Sequence, residues 1–117
     1  MKGLFTLLLL TLLTGRANAQ SNVSATDFYA QSLVYLSSDA EYQQLSSQLA
    51  AIPYVRNVRI DKNSHQLFVS TKDLSSFDES VLQSWLGNYS AGVSCVHTGI
   101  FGITPFKSYI NGECPSN

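Results

Sequence analysis

Ile52-Pro53-Tyr54-Val55-Arg56-Asn57-Val58-Arg59-Ile60-Asp61 is the stretch on which the reading of this chain turns. Pro53 disfavours the helical region for Ile52 and has no N–H to donate, so a helix arriving from the N-terminal side stops here. Beyond it Val58 and Ile60 alternate with Asn57, Arg59 and Asp61, which is the period of a half-buried strand. The stretch therefore reads as the end of a helix, a tight turn, and a strand.

Upstream, Ser38-Asp39-Ala40-Glu41 is an S-x-x-E capping box. The Ser38 hydroxyl is expected to accept from the Glu41 amide, and the Glu41 carboxylate to reach back to the Ser38 amide. Asp39 adds favourable charge at the helix N-terminus. Tyr42, Leu45, Leu49 and Ile52 follow at helical spacing, which predicts a helix over 39–52. Before it, residues 28–36 are rich in aromatic and branched side chains and read as a first strand, with mixed rather than clean alternation.

Downstream, Asp61-Lys62-Asn63-Ser64 is a polar turn. Residues 65–71 read as the return strand of a hairpin, with Leu67 and Val69 on one face and Gln66, Phe68 and Ser70 on the other. A second capping box at Ser76-Phe77-Asp78-Glu79 predicts a helix over 76–86, with Val81, Leu82, Trp85, Leu86 and Tyr89 on its apolar face. Gly87-Asn88 can take left-handed dihedrals and end it. Residues 91–96 read as a fourth strand. Residues 97–117 are rich in glycine, proline and aromatics, and are expected to form a loop or a short extra strand.

Strand, helix, strand, strand, helix, strand is the split βαβ order. The predicted class is α+β: a ferredoxin-like βαββαβ fold, an antiparallel sheet with both helices on one face and a disulfide-tied C-terminal extension. The expected core sets Tyr42, Leu45, Leu49, Ile52, Leu82, Trp85 and Leu86 against Val58, Ile60, Leu67, Val69 and Val93. The other sheet face is left for solvent, the tail or a partner.

The turn and strand after Leu49, and Gly87-Asn88-Tyr89-Ser90-Ala91-Gly92-Val93 before the last strand, resemble the heavy-metal-associated (HMA) domain. That resemblance spans about residues 36–93 and implies the ferredoxin-like fold. The family carries a C-x-x-C pair at the start of its first helix, where two thiolates can hold a soft or borderline ion. Counted back from Pro53, those positions are Ser38 and Glu41. Neither is a soft ligand, so metal binding is not carried over.

The N-terminus reads as a secretory signal over 1–19. Lys2 supplies positive charge, residues 4–13 are apolar, and Ala17-Asn18-Ala19 is an A-x-A cleavage signal. The competing reading is a membrane anchor, but a span needs roughly 20 apolar residues and this run breaks at Gly15-Arg16. Cleavage before Gln20 leaves 98 of the 117 residues, enough for one small domain. The expected organisation is a flexible lead over 20–27, an HMA-like domain over 28–96 and an extension over 97–117. The whole chain has 7 Lys+Arg and 8 Asp+Glu. Losing Lys2 and Arg16 takes its net charge from −1 to −3. No basic stripe remains to release counterions from nucleic acid.

Cys95 and Cys114, in a chain bound for an oxidising compartment, are expected to pair. Closing a loop of about 20 residues contributes on the order of 3 kcal/mol in the chain-entropy picture. The alternative use is a metal site. Cys95 and His97 are two apart on a predicted strand and would share a face, with His65 or Cys114 as a third ligand. His65 otherwise reads as a solvated turn residue. No nucleophile-elbow motif appears, and the acidic pairs Asp39/Glu41 and Asp78/Glu79 fall in first helical turns, where capping explains them. The chain is thus expected to be an exported, non-catalytic interaction module with a protein partner and no cofactor. A metal carrier using Cys95, His97 and His65 is the alternative. Phe101, Phe106 and Tyr109 in the tail either cover the open sheet face or an edge, or form the docking surface.

Overall fold

A computed structural model describes residues 26–110 and 112–115. The proposed signal and most of the polar lead lie outside the described residues. Thr26 and Asp27, which fall within the expected lead, are already tied to the body. The Thr26 amide donates to the Leu74 carbonyl at 2.7 Å, and Asp27 pairs with Arg56 at 3.1 Å.

The element order is β1 (Phe28–Val34), α1 (Asp39–Ala50), β2 (Val55–Asp61), β3 (Gln66–Thr71), α2 (Glu79–Leu86), a 3-10 segment (Gly87–Gly92) and β4 (Val93–Ile100). The strands form one sheet in the order β2-β3-β1-β4, antiparallel throughout. β1 and β3 are central, and β2 and β4 are the edges. The architecture is the α+β, ferredoxin-like one that the element order implies.

Each helix starts on a side-chain cap. Ser38 Oγ accepts from the Glu41 amide at 3.2 Å. Glu41 reaches back one residue further than a simple capping box requires: its carboxylate accepts from the Ser37 amide at 2.9 Å and the Ser37 hydroxyl at 2.7 Å. These bonds hold the Glu41 carboxyl below its ordinary range, the side-chain bond from Ser37 contributing most. The second helix starts later than its sequence suggests. Asp78, not Ser76, is the cap: its backbone is extended and its carboxylate accepts from the Val81 amide at 3.1 Å. An ionised acceptor at the positive helix end outcompetes a serine two residues earlier. Gly87, at φ +58, closes α2 as expected. Gln48 crosses from α1 and donates to the Trp85 and Leu86 carbonyls, 2.8 and 3.1 Å away.

The core lies between the helices and one sheet face. Leu45, Leu49, Leu82 and Leu86 are buried against Ala30, Val34, Leu67, Val69 and Val93, with Val55 and Phe77 closing the ends. Tyr42, Ile52, Val58, Ile60 and Trp85, expected in the core, are only half-buried at its rim. For Tyr42 the reason is polar. Its hydroxyl accepts from the Leu36 amide at 3.1 Å, beyond the end of β1, so the ring tip cannot move inward.

The fourth strand runs to Ile100, past the expected end at Val96. The cause is a β-bulge: Leu33 pairs with Ser94 and Gln31 with His97, so Cys95 and Val96 together oppose Ser32. The extra residue restores register and lets pairing continue. It also interrupts the alternation that would set Cys95 and His97 on one face.

The two cap readings separate by mutation. Asp78→Ala is expected to lower the urea midpoint, while Ser76→Ala leaves it unchanged. The bonds from the Ser80 hydroxyl and the Val81 amide depress the Asp78 pKa below its ordinary 3.8. The cap's contribution is therefore fully present above pH 3.8 and fades as pH falls through the lower, folded-state value. Urea melts of both variants at neutral and acidic pH check this.

Candidate functional site

The sheet face away from the helices carries three cross-strand rows. They run Gly99–Tyr29–Ser70–Asn57, His97–Gln31–Phe68–Arg59, and Ser94–Leu33–Gln66–Asp61, from β4 to β2. The C-terminal tail lies over the β4 and β1 half of these rows.

Tyr29, Gln31 and Tyr109 hold it there. The Tyr29 hydroxyl lies within donating distance of the Thr104 and Pro105 carbonyls, at 3.1 and 2.8 Å, and meets His97 Nε2 at 3.1 Å. The Gln31 amide forms a two-bond clasp with the Lys107 backbone, donating at 2.9 Å and accepting at 2.8 Å. The Tyr109 hydroxyl faces the Gln31 and Cys95 carbonyls at 3.1 and 2.7 Å. Gly99 permits the approach: a Cβ there would stand 2.7 Å from Thr104 and 2.8 Å from the Tyr29 hydroxyl.

The Cys95–Cys114 disulfide, with Cα atoms 5.4 Å apart, ties the end of the tail to the bulge in β4. Cys95 sits at φ +57, in the left-handed region that non-glycine residues avoid. The disulfide and the bond accepted by its carbonyl from Tyr109 pin that conformation from two sides.

The β3 and β2 half of the face stays uncovered and forms a groove of about 640 Å³. Phe68 and Ser70 lie along its floor, Asn57, Arg59 and Asp61 along β2, and Phe101, Phe106 and Tyr109 along the tail. Phe106 is the hinge between the halves, edge-on to Tyr29 at 4.7 Å and to Phe68 at 5.7 Å. The tail's outer surface is strongly apolar: Phe101 is 48 % exposed, Phe106 57 %, Ile110 66 % and Ile103 77 %. Tyr109 is buried instead, so of the three tail aromatics singled out by sequence it anchors while the other two are presented.

Cys95, His97 and His65 are not gathered. Cys95 is in the disulfide, His97 is bonded to Tyr29, and His65 stacks on Tyr35 at 4.2 Å. His65 is half-buried rather than solvated: its ring stacks on Tyr35 just past the end of β1, and its carbonyl accepts from the Val34 amide at 2.9 Å. Among the described residues no group of three or more His, Cys, Asp and Glu side chains is placed to hold a metal ion. Sequence reasoning missed Arg59, Asn57 and Ser70. The hairpin alternation places them on the strands, but only the return of the tail beside that face marks them as a site.

No family model matches the chain, and no curated protein matches it. Among solved structures, the apo form of the HMA domain of copper chaperone for superoxide dismutase aligns with a TM-score of 0.50 at 14 % identity, covering 89 % of this chain and 94 % of that one. The fold is HMA-like. A second structure, PH0061, aligns with a TM-score of 0.47 at 14 % identity over 69 % of this chain and 55 % of that one. At such identity the likeness concerns the fold alone. Ser38 and Glu41, where counting along the sequence would set the metal pair of that family, cap α1. No helix among the described residues is long and apolar enough to cross a membrane, and the disulfide is consistent with an oxidising compartment.

Tyr109 reports on the tail. Burial first, and the neighbouring Tyr29 second, push its pKa from 10.0 up to about 12. A raised folded-state pKa means that the contribution is fully present below pH 10.0 and is lost as pH rises through about 12. Burial also raises the Tyr29 pKa, so ultraviolet titration is expected to show a late tyrosine ionisation to which both residues contribute, and Tyr109→Phe is expected to reduce its amplitude without abolishing it. Reducing the disulfide is expected to cost about 3 kcal/mol in urea unfolding. Mass analysis without reductant is expected to show the loss of two hydrogens relative to the reduced chain.

Proposed function

We propose that this chain is an exported, non-catalytic interaction module that docks a protein partner on the tail and the groove beside it. The observation that carries the proposal is the tail itself. It spends its polar contacts and Tyr109 on holding the sheet, and turns Phe101, Ile103, Phe106 and Ile110 outward next to a groove. Clustered exposed apolar side chains of this size commonly mark interaction surfaces. The reading as a module rather than a metal carrier rests on Ser38 and Glu41, which cap a helix where the HMA family places thiolates.

Export is part of the same proposal. It rests on the signal-like N-terminus and on the disulfide.

The test is site-specific photocrosslinking in the native compartment. A photoreactive residue at Phe101 or Ile103 is expected to yield a discrete adduct with another protein. The same residue at Gln44, on the helix side, is expected to yield none. Equal adducts at both positions, or none at the tail, would count against the docking surface. In parallel, the oxidised and reduced forms are titrated with Cu(I) and Zn(II). Tight stoichiometric binding abolished by Cys95→Ser but retained in Ser38→Ala would replace the module with a carrier.

A further inference from the structure

The groove has an unusual balance of hydrogen-bonding groups. Asn57 and Ser70 stand opposite each other in the pairing of β2 with β3, and Arg59 follows Asn57 on the same face of β2. Arg59 has no ion-pair partner among the described residues. Ser70 is 3 % exposed, and its hydroxyl has no hydrogen-bond partner there. A buried hydroxyl without a partner is uncommon in a folded protein. One end of the groove thus offers a guanidinium, an amide and a buried hydroxyl, a donor set suited to an anionic oxygen pair.

The other end differs. The Asp61 carboxylate accepts from the Asn63 and Ser64 amides at 2.9 and 3.3 Å, so its charge is committed to the hairpin turn. An anion in the groove is therefore driven to the Asn57 side of Arg59, away from Asp61. Between the ends Phe68 forms an apolar floor with Phe106 edge-on to it. The groove is open along its length beside β2, a sheet edge, which suits an extended chain better than an enclosed small molecule.

We propose that the groove receives an extended segment of the partner protein that presents a carboxylate beside an aromatic side chain, the carboxylate at Arg59, Asn57 and Ser70 and the ring against Phe68 and Phe106. This deepens the interaction-module reading and rests on it. It assigns roles that exposure alone does not: Arg59 selects charge, Ser70 fixes its depth, and the tail supplies the apolar wall.

The test uses the intact, oxidised protein and three probes, followed by heteronuclear NMR. The first is a blocked pentapeptide, Gly-Phe-Asp-Phe-Gly. The second is its twin with Asn for Asp. The third is phenylpropionate, a free acid carrying the same two groups. The acidic peptide is expected to shift the amide signals of Asn57, Arg59 and Ser70, and to bind about tenfold or more tighter than its twin. Arg59→Gln, an exposed change that leaves the core intact, is expected to erase that preference, and Lys62→Gln outside the groove to leave it unchanged. Equal binding of acid and twin, or shifts on the helix side, overturns the proposal. Phenylpropionate binding as tightly as the acidic peptide replaces the partner segment with a free organic acid. If all three probes fail while tail crosslinking persists in Arg59→Gln, this proposal falls and the interaction module stands.

Discussion

The first strand has to be buried on both faces, and most of the structure follows from that. Tyr29, Ala30, Leu33 and Val34 lie within one seven-residue strand, and none is more than 3 % exposed. Ala30 and Val34 face the helices, while Tyr29 and Leu33 face the other way. Two helices on one side of an antiparallel sheet can cover only half of that surface. The remaining apolar area would meet water at roughly 25 cal/mol per Å². The tail supplies the missing cover. Its glutamine clasp, two tyrosine hydroxyls and disulfide are the means by which a segment without regular structure is held as firmly as a layer.

The cover stops midway. The tail is anchored along β1 and β4, where Tyr29, Gln31 and the bulge at Cys95 give it attachment points, and meets β3 at Phe106, which packs on Phe68, and at Gln66, which donates to the Tyr109 carbonyl at 3.0 Å. β2 contributes Asn57, Arg59 and Asp61 to this face, all exposed, and so asks for no cover. Charged side chains along an edge strand also discourage indiscriminate strand pairing. The groove is the step between the covered apolar half and the uncovered polar half. Its mixed lining follows directly: aromatics from the tail on one side, amides and charges from β2 on the other.

An HMA-like frame does not by itself supply a site, because a fold and the chemistry placed on it are separable. The turn before α1 must satisfy free amides at the helix N-terminus whichever residues occupy it. Ser37, Ser38 and Glu41 do this among themselves, with the carboxylate held ionised by the hydroxyl and amide of Ser37. Nothing in that arrangement leaves a soft ligand free. Among the described residues the buried side-chain atoms without a partner are Ser32 Oγ, His65 Nδ1 and Ser70 Oγ, and of these only Ser70 is on the groove face of the sheet, one cross-strand row from the exposed Arg59.

Much of the frame was legible in the chain. Pro53 and the alternation after it locate the first helix-to-strand joint. Ser38 and Glu41 mark a helix start, and Gly87 a helix stop, because these signals act within a few residues. The cap at Asp78 escaped reading, because Ser76 satisfies the same local pattern and only the final backbone shows which oxygen meets the Val81 amide. The mixed pattern of β1 hid its register for a physical reason: a strand buried on both faces has no polar side to betray its period. The disulfide could be expected from compartment and count, but not the bulge it stabilises, since pairing with β1 fixes where the extra residue falls. The groove was legible in part: the hairpin that pairs Asn57 with Ser70 and Arg59 with Phe68 follows from local alternation about a polar turn. Its other wall was decided by tertiary structure, because Phe106 reaches Phe68 only by the return of the tail across the sheet, and no local pattern encodes that meeting.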